Sequence, residues 1–231
     1  MSTTTPLTDA INALTTYSNT VTGKNPPDTT LSDAVATLAA GYGGGGGSGS
    51  GFPDFSAGNI RALIFNSAYF TTDYYDTLQN LYVIMFKSGT TVSYEHFFGI
   101  TAGNTRVGVQ RNASQATAAN CYVQGTSKGN NYLPIDKYPT IIGPNCLGLS
   151  ALTATLPLII GCGYYNGARE NQKSNMTFYG LNIIDSNNDF VARFMPWLEG
   201  STPCIKELIS GNLYYPDTGT VGYIDNSGVT H

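Results

Sequence analysis

The stretch CGYYNGAREN, running from Cys162 to Asn171, sets Tyr164, Tyr165, Asn166, Arg169, Glu170 and Asn171 within one strand-and-loop span, and TTDYYDT adds Tyr74 and Tyr75. Aromatic rings flanked by planar amides and a guanidinium suit a sugar. The ring covers an apolar C–H face while the amides and the arginine bond the hydroxyls. The competing reading is structural: neighbours on a strand point to opposite faces, so one tyrosine of each adjacent pair is expected inside. Tyr164, Tyr165, Asn166, Arg169, Asn171, Tyr74 and Tyr75 form the candidate carbohydrate-binding set. Trp197, beside Pro196, reads as a packing cap.

Hydrolysis of a glycan would need more. A retaining glycosidase holds two carboxylates roughly 5 to 5.5 Å apart, which on a strand means acidic residues alternating along one face. No such run occurs here. Asp185 and Asp189 are neighbours through DSNND, where Asp is favoured for backbone reasons. Glu95 and His96 beside FFG could serve as an acid and a base, but such a pair is more often a solvated strand end. With two histidines, His96 and the terminal His231, and no G-x-S-x-G, a serine triad has no framework. No catalytic residues are expected. The DSNND loop offers oxygen ligands to calcium, yet a calcium loop gathers more than two carboxylates, so no metal or cofactor is assigned. Cys121, Cys146, Cys162 and Cys204 lack C-x-x-C spacing and read as buried free thiols; a Cys146–Cys162 bridge is the alternative.

Composition narrows the partners. Charged residues make up 11% of the chain, with 11 Lys and Arg against 15 Asp and Glu. An average soluble protein carries about 25%. Neutral Asn, Ser, Thr, Gly and Tyr must therefore carry the surface, and nucleic acid, which demands clustered positive charge, is not an expected partner. No run of about 18 apolar residues and no basic-then-apolar leader is present, so neither a membrane span nor secretion is expected.

The elements that would position these groups change character along the chain. From Phe52 onward, RALIFN, LYVIMFKS, TRVGVQ, NCYVQG, PTIIG, LPLIIGCGYY, NMTFYGLNII and DFVARFM are strand-length, β-branched and aromatic blocks punctuated by Gly, Asn and Asp. They predict an all-β sandwich or jelly roll over 52–231, with FYGLNIIDSNNDFVARFMP as its clearest hairpin.

The front is different. LTDAINAL at Leu7–Leu14 and LSDAVATL at Leu31–Leu38 repeat one pattern 24 residues apart. Leu7, Ile11 and Leu14, then Leu31, Val35 and Leu38, line one face of each of two short helices. Thr5-Pro6 starts the first, Thr30 with Asp33 caps the second, and Gly41 stops it. Helices this short are marginal alone, so their stripes need a partner. That partner is either the C-terminal part or another chain. Gly43–Gly51 favours another chain, since nine flexible residues set the ends only about 17 Å apart and fix no angle. The division is 1–42 for attachment and oligomerisation, 43–51 for the linker and 52–231 for the β domain.

Several stretches resemble the laminin-G or concanavalin-like lectin domains at the C-termini of bacteriophage and prophage tail proteins. They are AYFTTDY, HFFGITAGNTRVGVQRN, the long span from LPLIIGCGYY to NLYYPDTGT, and GYIDNSG. The resemblance covers most of Asn59–Gly228. Tyr179, Ile183 and Asp185, then Val191, Phe194 and Pro196, and finally Gly211 and Tyr214 follow the family's order. The turn is one residue longer, and Ala192 and Arg193 stand where the family has an acidic residue.

The resemblance implies a concanavalin-like jelly roll in a non-enzymatic virion protein that binds host-surface carbohydrate, associates as a trimer and meets other virion subunits through its front helices. A capsid or baseplate decoration protein without glycan binding is the alternative, and a polysaccharide hydrolase a third.

Overall fold

The computed structural model describes residues 55–78, 80–89, 95–103, 105–111, 118–123, 126–127, 133–134, 136–142, 153–170, 174–185, 187 and 189–231; at 105 and over 111–142 only the backbone is described. The two helices and linker read from 1–51, with Leu7, Ile11, Leu14, Leu31, Val35 and Leu38, lie outside these residues. The described residues are all-β and contain no helix. No described helix is therefore long and apolar enough to cross a membrane.

Strands are numbered in chain order. In one half, β8 (Asp136–Ile142) pairs with β2 (Leu81–Lys87), and β2 with β12 (Thr177–Ile184), all antiparallel. The other edge of β12 is divided. Its start, at Thr177 and Phe178, meets β1 (Ala62–Thr71), and its end, from Leu181 to Ile184, meets β13 (Phe190–Glu199). β14 (Thr202–Glu207) and β15 (Leu213–Tyr214) continue beyond β13, while β16 (Thr218–Ile224) lines β1. In the other half, β9 (Leu156–Ile160), β3 (His96–Ala102), β4 (Thr105–Arg111) and β5 (Ala118–Val123) lie side by side in that order, and β5 carries the short β6 (Thr126–Ser127) and β7 (Leu133–Pro134).

One strand belongs to both halves. β1 pairs with β16 and β12 along its first part, then with β9 at Phe70 and Thr71. The change of partner comes after an irregularity between Asn66 and Tyr69, where Ser67 has a φ of 49°. A bulge of this kind bends a strand and re-aims the residues beyond it. The Ser67 amide donates to Asn175 Oδ1 at 2.8 Å, which holds the bend.

Alternation decides what each half buries. Tyr82, Ile84 and Phe86 of β2, Phe98 and Ile100 of β3, Val107 and Val109 of β4, and Phe178, Leu181 and Ile183 of β12 share one core. The two halves meet through rings: Phe86 stacks on Phe97 with centroids 4.0 Å apart, and Tyr82 on Phe98 at 5.5 Å. Phe97 and Phe98 are adjacent yet both fully buried, because the β3–β4 register slips between His96 and Phe98 and turns Phe97 inward as well. The architecture is thus sandwich-like. β12–β13 is the hairpin expected at DSNND: the Asp185 carboxylate accepts from the Asn187 and Asp189 amides inside its own turn, at 2.8 and 2.9 Å. The Asp189 amide leads in holding that carboxyl below its usual range. Cys162 and Cys204 are buried free thiols, as expected; the side chains of Cys121 and Cys146 lie outside the description.

Candidate functional site

The outward face of β3, β4 and β9 is not left to solvent. β10 (Tyr164–Tyr165) and β11 (Ala168–Arg169) form a two-stranded hairpin over it. The turn is Asn166-Gly167, both with positive φ (49° and 73°), the geometry in which a two-residue hairpin matches the twist of its strands. Its register pairs Tyr164 with Arg169 and Tyr165 with Ala168. Glycines let the approach segment come down close: a Cβ on Gly99 would sit 2.9 Å from the Gly163 Cα, and one on Gly163 would clash with the His96 ring at its Nδ1.

The hairpin sorts the candidate residues by parity. Tyr164 is 5% exposed and packs with Tyr69, Ile159 and Cys162 in a small cluster of its own. Its hydroxyl donates to the Pro157 carbonyl at 2.8 Å. Burial, with smaller contributions from the neighbouring Cys162 and Tyr75, pushes its pKa up to about 12. Tyr164 is therefore a packing residue, a correction to its place in the candidate set. Tyr165, on the opposite face, is 54% exposed, with the Arg106 guanidinium 5.0 Å from its ring centre. Asn166 is exposed at the tip, and Arg169 is exposed with its guanidinium over the Tyr69 ring at 4.6 Å. Asn171 lies outside the described residues.

The second stretch divides in the same way. Tyr75 is 55% exposed. Tyr74 is half-buried. Its ring meets Phe194 edge-on at 5.9 Å and its hydroxyl donates to Asp76 at 3.3 Å. Burial and the Asp76 charge raise its pKa well above the ordinary value. Asp76 also accepts from the Tyr82 hydroxyl and from Asn80 Nδ2, a structural knot at the core's rim. Trp197 is half-buried under Lys206, whose ammonium stands 4.2 Å from the ring centre, in keeping with a packing role.

Glu95 and His96 are not a solvated strand end: both are buried, and their networks diverge. The Glu95 carboxylate accepts from Ser88 Oγ at 2.7 Å, Ser174 Oγ at 2.9 Å and the Asn175 amide at 2.7 Å. His96 instead puts Nε2 2.6 Å from Glu170 Oε2. Arg106 Nη1 completes that second group, 2.8 Å from Glu170 Oε1 and 2.8 Å from the Tyr164 carbonyl. Burial raises the pKa of Glu170, but the hydrogen bond and charge of His96 together with those of Arg106 outweigh it and hold the carboxyl below its usual range.

Sequence reasoning missed Arg106. Its signal was parity: Arg106, Gly108 and Gln110 face away from Val107 and Val109, and two glycines facing each other across β3 and β4 invite a covering segment. Among the described residues, no three His, Cys, Asp or Glu side chains come together as metal ligands. Comparison of the chain with protein-family models, curated proteins and solved structures finds no match.

Proposed function

We propose that the β domain is a concanavalin-like jelly roll that binds host-surface carbohydrate, in a bacteriophage virion protein whose residues 1–42 attach it to other subunits, as a trimer. The reading rests on the sequence resemblance. The observation that carries the site is the hairpin that exposes Tyr165, Asn166 and Arg169, with Tyr75 as a second exposed ring of the domain. Exposed aromatics beside an amide and a guanidinium match the two-sided chemistry of a sugar, apolar on its C–H face and polar at its hydroxyls. The sparsely charged composition favours neutral glycans, and the Gly/Ser composition of 43–51 suits a tether that would let several weak sites of one oligomer engage together. Binding without bond cleavage fits carboxylates committed to structural partners: Glu95 to Ser174 and Asn175, Glu170 to Arg106 and His96, and Asp76 to Tyr82.

Tyr75→Ala and Tyr165→Ala should each weaken binding of the full oligomer to host polysaccharide by about tenfold, the loss of roughly 1.4 kcal/mol of contact. Binding is measured on immobilised polysaccharide with the multivalent protein. Unchanged binding by both variants removes the site, and no binding to any host polysaccharide favours the decoration-protein reading. Deleting 1–41 should abolish incorporation into particles; incorporation at the wild-type level would remove the attachment role.

A further inference from the structure

The hairpin that carries Tyr165, Asn166 and Arg169 is pinned to the sheet by charge. Glu170, directly after β11, is the anion; His96 of β3 and Arg106 of β4 lie beneath it, 3% and 8% exposed. The apolar support of the hairpin is the small Tyr69, Ile159, Cys162 and Tyr164 cluster, separate from the main core. One backbone bond ties its approach to β3, the Gly161 amide donating to Phe97 O at 2.9 Å, and another closes the hairpin on itself, the Glu170 amide donating to Gly163 O at 2.9 Å.

We propose that His96, Arg106 and Glu170 form an acid-labile clasp that seats the β10–β11 hairpin, so that loss of the Glu170 charge releases the hairpin while the main core stays folded. Glu170 is the carboxylate that meets both His96 and Arg106, and removing its charge leaves the buried Arg106 guanidinium without that counter-ion in a poorly solvated site. Arg106 retains its charge at any relevant pH. Among the described residues, Cys162 and Arg169 on its own hairpin also lie near Glu170, and the Cys162 thiol, held up by burial, supplies no replacement anion.

The carboxyl sets the direction of the effect. Its pKa is lowered in the folded protein, so the clasp contributes fully above the ordinary glutamate value of 4.5 and is lost as the pH falls through the lower, folded-state value. The positions of Tyr165 and Arg169 depend on that seating. Their use on a sugar rests on the carbohydrate reading above; the clasp itself does not.

Hydrogen exchange of the full chain, monitored from pH 7 to about pH 3 and corrected for the intrinsic pH dependence of exchange, tests this. The amides of 161–170 should lose roughly tenfold more protection in acid than those of β1 and β12, which serve as the internal reference. Glu170→Gln should show the released hairpin already at neutral pH, with no further selective change in acid. Protection of the hairpin that tracks β1 and β12 throughout overturns the clasp, as does a Glu170→Gln profile identical to wild type. If Glu170→Gln does not fold, the wild-type profile decides alone. Binding to host polysaccharide is measured in parallel at neutral pH: its absence would remove the carbohydrate reading while the exchange result still decides the clasp.

Discussion

Replacing Phe97 by alanine should cost about 3–5 kcal/mol, the usual range for emptying a fully buried aromatic site. The ring touches both halves of the sheet: it stands on β3, turned inward by the bulge, and stacks on Phe86 of β2 with centroids 4.0 Å apart. The cavity would open at the seam, where main-chain pairing cannot close it. Against a total stability of about 5–15 kcal/mol, and at about 2–4 °C per kcal/mol for a domain of this size, the melting temperature should fall by roughly 10 °C. A drop under about 2 °C would mean that the ring does not hold the two halves together.

Glu95→Ala should be nearly as damaging, with a loss of about 3 kcal/mol, because three hydrogen bonds to one buried carboxylate disappear together. Hydroxyls can turn to other acceptors, but the Asn175 amide cannot. The damage reaches further, since Asn175 also receives the Ser67 amide at the bend of β1. Glu95→Gln keeps an acceptor oxygen and should cost only about 1 kcal/mol. Denaturant unfolding of the three proteins checks the order; equal stability of wild type and Glu95→Ala would refute it. The same variants address catalysis. Incubated with polysaccharide, wild type and Glu95→Gln should release no reducing sugar, and release by wild type that Glu95→Gln loses would overturn the binding-only reading.

Much of the sheet was legible because burial on one face leaves a period of two. The runs that became β1, β2, β4, β5, β8, β9, β12 and β13 all stood out as apolar blocks bounded by turn residues. TPCIKE and TGTVGYI, which became β14 and β16, did not: Pro, Gly, Lys and Glu suit strands near the margin of a sheet and blur the pattern. The tyrosine pairs were legible by half. Alternation required one member of each to turn inward but could not say which, because parity depends on the position of the Asn166-Gly167 turn and on the element beneath. Arg106 and His96 were illegible as a group. An arginine and a histidine on separate strands carry no mutual signal until a hairpin more than sixty positions downstream of Arg106 brings Glu170 between them.

The shared strand β1 sets how this domain can fail. Its first residues are bonded to β12 and β16 and its last to β9, while β16 stays paired at Tyr69 beyond the bend at Ser67. Neither layer can be shed while the other survives, nor exchanged as a cassette between proteins, because each would take half of that strand with it. Loss of order should spread through both layers in a single event, and a protease that nicks the bend would disable the whole body at one cut.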